Sequence, residues 1–298
     1  MTDDILRLVS AALGVPVTDP QPLAGSDRSV VLRAHVPGST VVVKKYPDGT
    51  SSSFLREVAG LTALDHTPEV LAVDRDRGLV VMSDLGAGPT LADLLLGDDS
   101  ASAWDGALSW VEALGDALGR SRAGTTAFAA ALGELADDEP SAAARVGVRR
   151  LLADVLGLPA DPAIGAELDA IATLDHRDPA TDVVSPTDTC PDNAIRTTDG
   201  WRFLDLEGAT VHHVAYDAAY AAMPFSTCWC VFEPPAGFTD RLLGRFTTAL
   251  APHLPAVRLR STLPAVAGLL AAAAAWADDE WGSSAAPVGP YRAFARDE

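Results

Sequence analysis

Cysteine is scarce. Cys190, Cys228 and Cys230 are all that the 298 residues contain. A small, odd number excludes a disulfide framework and fits a reducing cytoplasm. Cys228-Trp229-Cys230, with one intervening residue, also lacks the spacer of a structural zinc site. Basic residues are few as well: 22 Lys and Arg stand against 41 Asp and Glu, for a net charge of −19. Such a surface repels phosphate backbones, which argues against nucleic acid as a partner and favours a cationic, amine-bearing small molecule. Long apolar runs are missing. The longest, Ala265 to Ala277, is Ala-rich and short of the about 20 residues that span a bilayer. It reads as a buried helix, so no membrane association is expected. The start, Met1-Thr2-Asp3-Asp4, lacks the basic residues of a signal peptide, so a cytoplasmic location is expected. Neither an internal repeat nor a low-complexity linker is present.

What remains is a chain of globular composition, 48% hydrophobic and 21% charged. Its apolar spacing changes period along its length. Asp3 to Leu13 has helical spacing, with Thr2 as cap and Gly14 as stop. Ser29–Val36 and Thr40–Tyr46 are β-branched runs around Pro37-Gly38. Phe54–Leu64 is helical again, and Val70–Val73 and Leu79–Met82 are short strands around Asp74 to Gly78. Residues 15–82 thus predict an antiparallel sheet with one inserted helix. Beyond Gly86 to Pro89 the pattern becomes mainly helical: Thr90 caps a helix through Leu96, and 103–174 is helical with breaks at Gly124, Pro140, Pro159 and Pro162. Further helices are expected near 238–250 and 261–281. A strand-rich island covers Val183–Leu206, with a hairpin turn at Thr197-Thr198-Asp199-Gly200. The prediction is an α+β chain of two lobes, 1–86 and 87–298.

The chemistry concentrates in that island. Asp188 is followed five residues later by Asn193, and twelve further on by Asp205. Carboxylate and amide oxygens are hard donors that suit Mg²⁺, and a carboxylate beside an attacking hydroxyl suits phosphoryl transfer. Asp199 reads as turn chemistry and Asp192 as a solvated loop residue. In the first lobe, Val41-Val42-Val43-Lys44-Lys45 ends an apolar strand in two lysines that point to opposite faces, so one of them can reach inward. Glu57, on the first turns of the next helix, is its candidate partner. Gly25, Ser26 and Ser29 lie in a loop whose N–H groups can cover phosphates.

These segments resemble the aminoglycoside phosphotransferase family, relatives of the eukaryotic-type protein kinases. The resemblance spans roughly residues 15–282 and rests on VVVKKY, FLREVAGLTAL, VVMSDLGAGPTLADLL, PTDTCPDNAI, WRFLDLEGA and HHVAYDAAY. It implies a protein-kinase-like fold and ATP- and Mg²⁺-dependent phosphorylation of a hydroxyl on a small molecule. On that resemblance Asp188 matches the catalytic aspartate, Asn193 and Asp205 the metal ligands, and Lys44 the phosphate lysine with Glu57 as its ion-pair partner. It likewise implies an adenine-binding hinge at Met82, Ser83, Asp84 and Leu85, and a structural role for Asp217. Acidic and aromatic residues late in the chain, Trp229, Glu233, Asp278, Asp279 and Trp281, are then candidates for the acceptor's wall. One departure stands out: Pro186-Thr187 occupies the place where the family usually has His-Gly, a loop brace. A second reading follows from it, a catalytically impaired relative that binds nucleotide and serves as a regulatory or binding protein.

Overall fold

The computed structural model describes residues 2–23, 28–136, 140–155, 157, 159, 161–223, 225, 234–257 and 259. The helix expected at 261–281, the loop residues Gly25 and Ser26, Cys228 and Cys230, and all five acceptor-wall candidates lie outside the described residues.

Helix α1 (Thr2–Leu13) opens the chain and stops at Gly14, whose φ is +70°. It is followed by β1 (Thr18–Pro22), β2 (Val30–Val36) and β3 (Ser39–Lys45), then α2 (Ser52–Ala63), β4 (Val70–Asp74) and β5 (Leu79–Ser83). The five strands form one antiparallel sheet in the order β1-β2-β3-β5-β4, so β3 is central. Side chains alternate across the sheet. Leu32, Ala34, Val41, Val43, Leu79 and Val81 bury one face against Ile5 and Val9 of α1. The opposite face carries Val80 and Met82 and packs on Phe54, Val58 and Leu61 of α2. The same alternation decides between the two lysines. Lys44 shares the face of Val42 and is 6% exposed, while Lys45 points the other way and donates to the Tyr46 carbonyl.

From β5 the chain passes through 84–89 into α3 (Leu91–Leu95). Thr90 caps this helix in a reciprocal box with Asp93. That passage lies tight against the later hairpin: a Cβ at Gly88 would come within 2.0 Å of the Arg196 carbonyl oxygen, so glycine is required there. Helices α4 (Ser100–Ser121), α5 (Thr125–Leu132), α6 (Pro140–Arg150) and α7 (Pro162–Ala172) build most of the second lobe. Pro140 and Pro162 stand in first turns, where a missing N–H costs nothing.

Two short sheets are set into these helices. Strand β6 (Asp182–Ser185) pairs with β9 (Thr210–His213), and β7 (Ala194–Thr197) pairs with β8 (Gly200–Phe203) in the expected hairpin. Strand β9 is an addition to the sequence reading. Its four residues are too few to show a period, and it is a strand because β6 offers it an edge. The chain continues with α8 (Ala215–Ala222) and α9 (Phe238–Leu250). Helix α9 buries Phe238, Leu242, Phe246 and Leu250 and approaches α4 so closely that a Cβ at Gly115 would lie 2.7 Å from the Phe246 carbonyl oxygen. Among the described residues no helix is long and apolar enough to cross a membrane.

Candidate active site

The central strand delivers Lys44 to the junction of the two lobes. Its Nζ lies 3.1 Å from Glu57 Oε2, 2.5 Å from Asp205 Oδ1 and 3.7 Å from Glu207 Oε2. Tyr46 shares the cluster. Its hydroxyl donates to Glu57 Oε2 at 3.3 Å, and its ring lies 5.3 Å from Nζ. Burial alone would lower the Lys44 pKa, but Glu57, Asp205 and Glu207 outweigh it and hold the ammonium above the ordinary lysine range. The lysine is therefore a fixed positive charge. Burial pushes the Glu57 carboxyl up, against the opposing pull of Lys44.

Asp188 stands on the loop leaving β6, where its backbone carbonyl lies 3.5 Å from the Asn193 side-chain amide. That loop is braced from below. Ser185 is fully buried, and its hydroxyl donates to Asp217 Oδ1 at 2.6 Å while accepting from the Thr187 N–H at 2.9 Å. Asp217 Oδ2 lies 2.9 Å from His212 Nε2. Thr187 adopts φ +69°, a left-handed conformation that a β-branched residue holds at a cost of about 1–3 kcal/mol. Its hydroxyl bond to the Gly208 carbonyl, 2.9 Å, offsets part of that strain. Thus Ser185, Asp217 and Thr187 supply the support that Pro186-Thr187 had put in question.

Asp188 is exposed by surface area, yet protein atoms crowd its carboxylate. That partial desolvation raises its carboxyl above the usual aspartate range. The Cys190 N–H, 3.2 Å from Oδ1, works against the rise, and the neighbouring Asp192 and Asp205 charges add to it. Cys190 itself is half-buried, and Tyr220 Oη lies 3.5 Å from its Sγ.

Asn193 ends a tight turn, Pro191–Asn193, and the Leu204 N–H donates to its backbone carbonyl at 2.8 Å. This bond ties the start of the hairpin to its end. Asp205 follows at φ +57°, a conformation aspartate tolerates better than most residues. A cavity of about 330 Å³ is lined by Asn193 and Asp205, by Met82, Ser83, Asp84 and Leu85, and by Ser29, Val31, Val42 and Leu61. Its mixture of apolar walls and a few polar groups suits a nucleotide's flat base and charged tail. At the strand's exit Asp84 is fully engaged: Arg33 Nε lies 2.7 Å from Oδ2, the Thr40 hydroxyl 2.7 Å from Oδ2, and the Gly86 N–H 2.9 Å from Oδ1. Asp84 thus organises the passage between the lobes, and its carboxylate is committed there.

The amide of Asn193 and the carboxylate of Asp205 fit a hard divalent cation such as Mg²⁺. Asp205 keeps a 40% exposed side chain, and Lys44 takes only its Oδ1 at 2.5 Å, so a face of the carboxylate stays open to the cavity. Among the described residues no three His, Cys, Asp or Glu side chains converge as a metal cluster. A cation here would complete its shell with water and phosphate oxygens.

The structure brings together Lys44, Glu57, Asn193, Asp205, Ser29 and residues 82–85 around one cavity, with Asp188 beside it. It corrects one reading: Asp192 is half-buried and lines the cavity, because the turn at Pro191–Asn193 folds it inward rather than leaving it solvated. It adds Glu207, Arg28, Ser185 and Arg33. The alternation in Asp205-Leu206-Glu207 was the signal for the first, since a fully buried Leu206 places both carboxylates on the cleft side.

Comparison with known proteins gives a consistent picture. The family model described as "Phosphotransferase enzyme family" (APH) matches residues 19–259. Macrolide 2'-phosphotransferase MphH from Brachybacterium faecium, solved as the apoenzyme, shares 15% identity at a TM-score of 0.55, over 99% of this chain and 94% of its own. Amicoumacin kinase hAmiN, solved with AMP-PNP, Ca²⁺ and Ami, shares 13% identity at a TM-score of 0.62, over 93% of this chain and 86% of its own. Choline kinase from Cryptosporidium parvum shares 10% identity at a TM-score of 0.53, over 95% and 94%. No curated protein matches. At these identities the likeness is one of fold: the chain has the two-lobed, protein-kinase-like architecture of small-molecule kinases.

Proposed function

Because the chain belongs to the phosphotransferase enzyme family, we propose that it transfers the terminal phosphoryl group of ATP, with Mg²⁺, to a hydroxyl of a small, amine-bearing molecule. The observation that carries this reading is the placement of Lys44 between Glu57 at 3.1 Å and Asp205 at 2.5 Å, at the end of a cavity that Asn193 also lines. Residues 1–86 form the nucleotide-binding lobe in this reading, and the remainder forms the catalytic and acceptor-binding lobe, with Gly86 at the division.

Lys44, held by Glu57, orients the α- and β-phosphates. Asn193 and Asp205 hold Mg²⁺, which neutralises phosphate charge when bound. The backbone of Met82 to Leu85 receives the base. Asp188 accepts or orients the acceptor hydroxyl's proton, and its raised pKa suits that role. The gain in rate comes mainly from positioning and charge neutralisation, since phosphoryl transfer asks little covalent chemistry of the protein. The bonds of Ser185 to Asp217 and of Thr187 to Gly208 support the active reading over the impaired one, because they brace Asp188 without a histidine. The net charge of −19 supports an amine-bearing acceptor. The two relatives named above as acting on macrolides and choline illustrate the range of acceptors the fold serves, and fold does not select among them. A cytoplasmic setting fits the reduced cysteine content.

The test is a turnover panel of aminoglycosides, amino alcohols and sugar amines with Mg-ATP. At least one compound should yield ADP and its phosphate monoester in equal amounts, and only with the metal present. No phosphorylated product from any amine-bearing alcohol would count against the acceptor class.

A further inference from the structure

Helix α2 turns Glu57 toward Lys44 and meets the second lobe with another face. Arg56 and Gly60, four residues apart, share that face. Gly60 is a point of close approach: a Cβ there would lie 3.0 Å from the Cβ atoms of both Leu206 and Ala209. Arg56 is half-buried one turn earlier. Its Nη1 donates to the Ala209 carbonyl at 2.8 Å, and its Nη2 donates to the Leu135 carbonyl at 2.7 Å. The first acceptor lies just before β9 and the second in the short helical turn Gly133–Ala136. One guanidinium thus ties the glutamate's helix to two separate segments of the second lobe.

Ala209 closes the turn that begins after Asp205. Its N–H returns to the Leu206 carbonyl at 2.9 Å, and both residues are fully buried. Gly208 accepts the Thr187 hydroxyl at 2.9 Å, so the same turn also supports the loop of Asp188. Asp205 stands at φ +57°, a conformation that persists where its surroundings enforce it. From the first lobe, Lys44 holds the aspartate's carboxylate and Arg56 holds the turn's backbone. Arg56 does not line the cavity, so it acts through these groups and not on the nucleotide. Resting on the phosphotransferase reading, we propose that Arg56 is a positioning residue for the transfer. Through the Ala209 carbonyl it fixes the turn that aims Asp205, in register with Glu57 on its own helix and, by way of Gly208, with Asp188. A guanidinium fork spans two carbonyls at once, whereas an ammonium is a point charge that holds one.

Three measurements on the full chain test this. Hydrogen exchange reads the turn directly: the Ala209 amide should exchange about 10-fold faster in Arg56→Ala than in the wild type, the loss of one hydrogen bond's restraint. Titration calorimetry and steady-state kinetics, run well below each variant's Tm, read the consequence. Arg56→Ala should reduce the Mg²⁺-dependent gain in ATP affinity while binding adenosine as the wild type does. With the acceptor that the turnover panel yields, its kcat should fall about 10²-fold, the scale of a misplacement near 1 Å. Arg56→Lys should recover part of each loss, and it carries the test if Arg56→Ala does not fold. The proposal is overturned if Ala209 exchanges at the wild-type rate, or if adenosine affinity falls in step with that for ATP. Folded variants that melt lower yet keep the wild-type kcat and metal-dependent gain would also overturn it, since that is a role in stability alone. A wild type that neither binds Mg-ATP nor turns it over would instead overturn the phosphotransferase reading, and the exchange rates would still decide whether Arg56 holds the turn.

Discussion

A Lys44→Ala variant should melt on the order of 10 °C below the wild type and lose measurable binding of Mg-ATP. The stability loss follows from burial. The Lys44 side chain is 7% exposed and that of Glu57 2%, and the lysine faces three carboxylates. Removing one partner of a buried pair leaves an uncompensated charge in the core, at a cost of about 3–5 kcal/mol. In a chain of this size each kcal/mol shifts the Tm by about 2–4 °C. The pH dependence gives the cause a signature. Without Lys44 the Glu57 carboxyl, already raised by burial, rises further. An acid whose pKa is higher in the folded state favours folding when protonated, and that contribution is lost as pH rises through the folded value. The variant's deficit should therefore be smaller at pH 5 than at pH 8. Replacing both partners, Lys44→Met with Glu57→Leu, should restore much of the Tm and none of the nucleotide binding. Differential scanning calorimetry across pH checks the first part and titration calorimetry the second. A variant that melts with the wild type at pH 8 would show that the ion pair is not buried as described.

An Asp188→Asn variant should lower kcat by a factor of about 10²–10⁴ while leaving affinity for Mg-ATP near that of the wild type. Asp188 is not among the residues that line the cavity, so on the proposed reading its loss removes a role in the transfer step and not in binding. A positioned base contributes about 10²–10⁴ in rate. The same carboxylate sets the acid limb of the wild type's pH profile. Partial desolvation raises its pKa, with Asp192 and Asp205 adding to the rise. The ionised form is the competent one in the proposed reaction, so kcat/KM should fall as pH drops through the titration of this carboxylate. Asp192→Asn removes one of the raising charges and should move that limb to lower pH. An unchanged kcat in Asp188→Asn would show that another group handles the acceptor's proton.

The parts of this site visible in the sequence are those with a period or a spacing. Strand alternation around Val41 to Lys45 and helical spacing through Phe54–Leu64 placed Lys44 and Glu57, and the hairpin turn at Thr197 to Gly200 placed Asn193 and Asp205 at one end. The choice of Lys44 over Lys45 needed the register, because only the neighbouring strands show which face meets α2. What stayed hidden depends on contacts between distant segments. Ser185 carries no motif. Its role is created by Asp217, 32 residues later, and by the N–H of Thr187. Asp84 reads as a hinge residue, yet its carboxylate is consumed by Arg33, 51 residues earlier. Glu207 and Arg28 become partners only when the two lobes face each other. Strand β9 contains His212 and His213, which no strand pattern favours, and its identity comes from pairing with β6.

The claim at the centre is a cleft in which Asp205 and Asn193 admit ATP through a divalent metal. Its most direct test is the affinity of ATP with and without Mg²⁺, measured by titration calorimetry on the wild type and on Asp205→Ala. The wild type should bind ATP far more tightly with Mg²⁺ than without it, and Asp205→Ala should lose that metal-dependent gain while remaining folded. Equal affinity with and without Mg²⁺ in the wild type, or an undiminished gain in Asp205→Ala, would contradict the account.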